Sequence, residues 1–302
     1  MSAKGDILLQ ARNLERRDGP VVRLRRFDLE LRRGEAMGLL GVNGAGKSTA
    51  LALLGGVLRP TRGEVRLLGH DLHREPLRAR RFLGLLPERP PLYPHLTLDE
   101  NLDFAARLRG LSRKEATHAR ERIKKRLGLI RLGRRLAGRL SRGTAQRAGL
   151  GQAMIHDPEV LILDEPTAGL DPAQAHELRI LLRELAVERA VLLATHLLED
   201  VAALCRRVTL LREGRVVLRE RLDSAPRAKV RFLRPPPDEA LRRLPGVAAA
   251  RSLGDGWFEL RLEDAPADLA ERVASHGWGM ADYLSSGHDL ERLVAAMVEP
   301  AP

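Results

Sequence analysis

Gly41-Val42-Asn43-Gly44-Ala45-Gly46-Lys47-Ser48-Thr49 is the stretch on which the fold turns. It matches the pattern GxxxxGK[ST], and it sits between an apolar run at residues 36–40 and a helix-like run at 48–54, the strand–loop–helix setting that this pattern requires. Glycines without Cβ let successive backbone N–H groups turn toward an anion, and the helix that follows adds its free amides and dipole. Gly41, Asn43, Gly44 and Gly46 are therefore expected to wrap a phosphate chain. Lys47 is expected on the β- and γ-phosphates, Ser48 on Mg2+, and Thr49 near the α-phosphate.

A second chemical element lies downstream. Val160-Leu161-Ile162-Leu163-Asp164-Glu165 is a buried strand that ends in two carboxylates. Adjacent acids after an apolar run suit a site where Asp164 supports hydrated Mg2+ and Glu165 polarises the water that attacks the γ-phosphate. Around these two elements, short apolar runs at 36–40, 64–68, 82–86, 160–163, 191–195, 208–211 and 215–218 predict strands of a mostly parallel sheet. Glu213-Gly214 reads as a hairpin turn between the last two. Between residues 98 and 156 the strand signal stops. Leu102, Ala105, Ala106, Leu108, Ile123 and Leu127 take helical spacing instead, after Pro87, Pro90, Pro91 and Pro94, a run suited to a hinge or contact loop.

The chain has 302 residues, which suggests one large domain and a small one. Composition shifts near residue 222. Beyond it, strands at 229–233, 247–253, 257–262 and 280–284 and helices at 238–244, 267–276 and 289–298 predict a small α+β, ferredoxin-like module. The longest charge-free runs, residues 36–46 and 48–58, are eleven residues each, against the roughly 20 apolar residues a membrane-spanning helix needs. The N-terminal residues lack the apolar core of a secretory signal, and a lone cysteine, Cys205, fits a reducing cytosol. Net charge is +12, and residues 1–220 carry +14 of their own. Such a balance suits nucleic acid or an anionic membrane face, although nine aromatics in all are too few for a base-stacking platform.

At this point the residues resemble the nucleotide-binding subunits of ABC transporters. Leu140-Ser141-Arg142-Gly143-Thr144 resembles the signature motif, Asp164-Glu165-Pro166-Thr167-Ala168-Gly169-Leu170-Asp171 the Walker B strand running into the D-loop, and Thr195-His196 the switch histidine. The resemblance implies a P-loop NTPase, RecA-like α/β core over residues 1–222, with a helical subdomain inserted at about 88–156 and the separate small domain at 223–302. It also implies an ATPase with ATP and Mg2+ as ligands, acting as a homodimer that sandwiches ATP between the phosphate loop of one copy and Ser141 and Gly143 of the other. By the same resemblance Glu165 is the general base, His196 a γ-phosphate partner, and Asp171 a contact across the dimer. The subunit would drive a separate transmembrane permease from the cytoplasmic face of the membrane.

Three positions depart from the common pattern. Glu88 replaces the usual Q-loop glutamine, where it can still approach Mg2+, and this marks the ABC-2-type exporter branch. Asp18, with Arg17 beside it, occupies the place of the adenine-stacking aromatic. Arg142 and Thr144 stand for Gly and Gln of the signature. The competing reading is a soluble ABC ATPase acting on nucleic acid or the ribosome. It rests on charge, but the chain lacks a second cassette and a zinc-binding cysteine set, so no nucleic-acid partner is expected.

Overall fold

The computed structural model describes residues 6–222, 227–262, 273 and 276–285, and it divides into two compact units, Met1–Glu220 and Arg221–Pro302. The first unit contains two sheets. One is a four-stranded antiparallel sheet built on a long hairpin, β1 (Ile7–Asp18) and β2 (Val21–Arg32). The other is six-stranded and includes β3 (Glu35–Leu40). The first sheet is completed by β4 (Arg62–Leu67) and β5 (His70–Asp71), in the order β2-β1-β4-β5. The second adds β6 (Leu83–Leu86), β7 (Val160–Asp164), β8 (Ala190–Thr195), β9 (Arg207–Arg212) and β10 (Arg215–Arg221), in the order β10-β9-β3-β8-β7-β6.

Within the larger sheet β6, β7, β8, β3 and β9 run parallel. Their continuous apolar sequences follow from burial on both faces. In β7, for example, Val160 through Leu163 are inaccessible to solvent. Parallel alignment also puts the C-terminal ends of β3, β7 and β8 on one edge, so Leu40, Asp164 and Thr195 finish side by side. That edge is where an open α/β sheet presents its loops to a ligand.

The sequence-based reading misses β1, β2 and β5. Arginines at outward positions of β1 and β2 and several register shifts between them break the apolar alternation. The inward residues Leu9, Leu14, Leu24, Phe27 and Leu31 nevertheless form a solvent-free core with Leu39, Leu53 and Leu54. The two latter residues belong to α1 (Lys47–Leu54), and α2 (Pro76–Ala79) is a single turn after β5.

The stretch at residues 98–156 is helical, as the spacing predicts. It comprises α3 (Leu98–Leu108), α4 (Arg113–Arg126) and α5 (Arg142–Met154). Thr97 and Ser112 open the first two with reciprocal capping boxes, each satisfying two backbone donors. Leu102, Ala106, Ile123 and Leu127 face inward, whereas Leu108 is exposed. Buried Asn101 fastens the proline-rich loop to α3. Its Nδ2 donates to the carbonyls of Tyr93, Leu96 and Thr97, and its Oδ1 accepts from the Tyr93 N–H at 2.8 Å. Two further helices, α6 (Pro172–Glu188) and α7 (Leu198–Leu204), flank β8 in sequence. Cys205 follows α7 and is buried beneath β3, where burial pushes its thiol pKa far up.

The second unit is an antiparallel sheet in the order β12-β13-β11-β14, formed by β11 (Arg227–Phe232), β12 (Val247–Gly254), β13 (Trp257–Leu262) and β14 (Met280–Ser285), with α8 (Asp238–Arg242) between the first two. Phe232, Leu241, Phe258 and Leu260 lie in its core. The predicted helix at 267–276 falls outside the described residues except at Val273 and His276, and the one at 289–298 falls outside them entirely.

Gly84 in β6 has no room for a side chain. A Cβ there would strike the Ala153 carbonyl oxygen of α5 and come within 2.8 Å of Leu161. Gly84→Ala is expected to lower stability by about 1–3 kcal/mol, read as an earlier urea midpoint for the first unit.

Candidate functional site

The site begins where β3 gives way to α1. Gly44 and Gly46 adopt left-handed φ values of 82° and 104°, which ordinary side chains resist, so the loop can curl over the start of the helix. Gly41 is packed against the Leu211 carbonyl, and a Cβ there would lie 2.6 Å from that oxygen. Lys47 is nearly buried. Its Nζ donates to the Gly41 carbonyl at 2.6 Å and stands 3.6 Å from Glu165 Oε1.

Glu165 is the meeting point of three elements. It leaves β7 with φ of 45°, a left-handed value that a non-glycine residue adopts at a cost of roughly 1–3 kcal/mol. Its backbone N–H donates to the Ala194 carbonyl of β8, which holds the turn in place. Oε1 lies 2.9 Å from His196 Nδ1, while Oε2 accepts from Thr195 Oγ1 at 3.1 Å. A buried carboxylate beside an imidazole at the phosphate loop has the geometry to accept a proton from water.

Asp164 shares this corner. Burial pushes its carboxyl pKa up to about 6, helped by the neighbouring Glu165 and Glu88 and opposed by Lys47 and a hydrogen bond from Ser48. This is an excess of anionic oxygen that a hard cation would relieve, and Ser48, Asp164 and Glu88 are the oxygen donors that suit Mg2+. Among the described residues no three His, Cys, Asp or Glu side chains converge closely enough to hold a metal unaided. Phosphate oxygens and water would have to complete its shell.

One cavity of about 430 Å³ collects these groups. Asn43, Gly44, Gly46, Lys47, Ser48, Thr49, Glu88, Asp164, Glu165 and His196 all line it. Gly41 lies under it, through the Lys47 hydrogen bond. The wall that sequence reasoning missed is Val21, Val22 and Arg23 of β2 with Glu213 and Gly214. Gly214 accounts for the junction: its N–H donates to Ala45 of the phosphate loop at 2.9 Å, its carbonyl accepts from Arg25 at 2.7 Å, and the Arg23 carbonyl leaves no space for a Cβ.

The expectation for Arg17 and Asp18 is corrected here. Arg17 turns to Glu15, Asp18 pairs with Arg16 and Arg23, and neither lines the cavity. The cause is the hairpin register. Asp18 is paired with Val21 across Gly19-Pro20, so the returning strand, not the outgoing one, meets the phosphate loop.

Ser141, Gly143 and Asp171 do not line the cavity either. Ser141 caps α5 and Asp171 caps α6, each side chain accepting from the backbone three residues on. The two helix starts touch: Gly143 abuts Gln174, the Arg142 guanidinium lies on Gly169, and Arg147 pairs with Glu177. Behind them sits Asp200, a solvent-free carboxylate that no motif flags. Thr167 donates to it, Thr195 Oγ1 lies 3.5 Å away, and Arg179 Nε donates at 2.7 Å. Asp200 thereby ties the segment after Glu165, the end of β8 and α6 into one network.

Comparison with known proteins gives the same picture. Residues 24–168 match the family described as "ABC transporter". The chain is 35% identical over 203 residues to the ABC transporter ATP-binding protein NatA of Bacillus subtilis, covering 67% of this chain and 82% of NatA. It is 39% identical over 201 residues to Nod factor export ATP-binding protein I of Burkholderia thailandensis, covering 65% and 64% of the two chains. Some relatives are matched over only 60% of their own length. Among solved structures, the dimeric post-hydrolysis state of the ATP-binding cassette MJ0796 bound to ADP and Pi superposes with a TM-score of 0.64 at 25% identity, over 71% of this chain and 99% of that one.

The raised Asp164 pKa has a sign that can be tested. A carboxyl whose folded pKa exceeds its unfolded value of roughly 3.9 destabilises the fold as pH rises through that window, fully so above about 6. Asp164→Asn is therefore expected to gain about 1–2 kcal/mol at neutral pH after allowance for solvent screening. Urea unfolding in chelator should show that gain shrinking to nothing under strongly acid conditions.

Proposed function

The chain belongs to the family of ABC transporter ATP-binding proteins, whose cassettes are ATPases, and from that premise we propose that it is the ATP-hydrolysing subunit of a transporter of the ABC-2 exporter type, working as a homodimer on a separate membrane permease. The observation that carries this reading is the convergence of Glu165, His196 and Lys47 at the phosphate loop.

On this reading the phosphate loop and Lys47 hold the triphosphate. Ser48, Asp164 and Glu88 would hold Mg2+, which would supply charge neutralisation at the phosphates. Lys47 gives up its hold on the Gly41 carbonyl to take phosphate oxygens, and Glu165, oriented by Thr195 and His196, takes the proton of the attacking water. Positioning and charge stabilisation account for the rate.

Ser141, Gly143 and Asp171 support the homodimer. They carry the residue types and helix starts of an anion site, yet lie away from the cavity of their own chain, so a second copy is their natural source of nucleotide. Among the described residues no helix is long and apolar enough to cross a membrane, which suits a subunit that docks on a permease at the inner face of the cell membrane. Export is the direction favoured by the likeness to an export ATP-binding protein. The nucleic-acid reading keeps only its charge argument.

Glu165→Gln is expected to reduce ATP turnover by roughly 10²-fold or more and to accumulate ATP-dependent dimers by light scattering. Unchanged turnover would remove Glu165 from its role. Affinity capture of the tagged chain from detergent-solubilised membranes should retrieve a polytopic protein; ribosomes or RNA alone would overturn the transporter assignment.

A further inference from the structure

The cavity has two chemically different walls. Glu88, Asp164 and Glu165 line one together with Lys47, and that is the phosphate and cation side. The other is lined by Val21, Val22 and Arg23 of β2, where strand alternation puts the Val21 and Arg23 side chains on one face and the Val22 side chain on the opposite one. A nucleotide whose phosphates filled the first would have the second within reach of its base.

Arg23 is fixed in two ways. Its carbonyl is wedged against Gly214, and a Cβ at Gly46 would lie 3.1 Å from that oxygen, so the backbone is locked beside the phosphate loop. Its Nε stands 3.4 Å from Asp18 Oδ2, so the side chain is tethered at one edge while 54% of it stays exposed. A guanidinium paired at one edge and more than half exposed can offer its face to an aromatic ring.

We propose that Arg23, tethered by Asp18, is the base platform of this site, the guanidinium taking the part an aromatic ring would play. The proposal rests on the nucleotide reading given above. It makes Arg23 a contact to the base and not to the phosphates, and it makes Asp18 a positioning residue that acts through Arg23.

Calorimetric titration with Mg-ATP and, separately, with Mg-tripolyphosphate distinguishes the two. Arg23→Ala is expected to weaken ATP by about fivefold to tenfold and to leave tripolyphosphate unchanged. Arg23→Phe, which restores a stacking face without charge, should keep ATP affinity within about twofold of the parent. Asp18→Asn should weaken ATP by less than Arg23→Ala, again without effect on tripolyphosphate. Equal loss for both ligands in Arg23→Ala would make Arg23 a phosphate contact and overturn the proposal, as would ATP binding that ignores the substitution. If the parent chain bound neither ligand, the nucleotide reading would fall and this proposal with it.

Discussion

Asp164 sits between two other carboxylates, Glu165 and Glu88, and the buried ammonium of Lys47, which stands 3.6 Å from Glu165. Like charges held close together make one another costlier to ionise, and the partial burial of Asp164 adds to that cost. The parallel sheet makes the gathering possible. Strands β3, β7 and β8 end together, so residues far apart in sequence reach one corner without long loops. Lys47 meanwhile clasps a backbone carbonyl, which keeps the ammonium satisfied and poised beside the acids. A divalent cation would offset that negative charge, whereas a phosphate chain adds to it, so the surplus favours a nucleotide that arrives with its cation.

A fourth carboxylate, Asp200, does quieter work. Buried without solvent, it accepts from Thr167 and Arg179 and lies within reach of Thr195, whose hydroxyl also donates to Glu165. The Glu165–His196 pair is therefore held by a frame that extends into α6, and α6 touches the start of α5 through Gln174 and Gly143. Groups lining the cavity and groups turned away from it share one continuous set of contacts.

The phosphate loop and the strand-end acids were legible in the sequence because each couples a residue pattern to a local element, a glycine loop before a helix or carboxylates closing an apolar strand, whereas His196 entered only through the family resemblance. The β2 wall was not legible. Val21, Val22 and Arg23 form no motif, and the arginines of β1 and β2 mask the alternation that would have revealed the hairpin. Arg17 and Asp18 pointed to the right turn but to its wrong side, since only the pairing of Asp18 with Val21 decides which strand faces the phosphates. Glu213-Gly214 read as a turn and no more; its packing between the phosphate loop and β2 is a tertiary fact. Asp200 passes in the sequence for a first-turn acid of a short helix, and only burial and its partners set it apart.

Cys205 closes α7, the helix that starts two residues after His196 and carries Asp200. Its thiol is the chain's sole one and is shielded beneath β3. Alkylation must wait for an opening that exposes this buried thiol, so the reaction reports on the packing in which α7 and the segment attached to the histidine take part. The molecule thus carries its own clock, readable by mass spectrometry without engineering, for whether ligands quiet or loosen that segment.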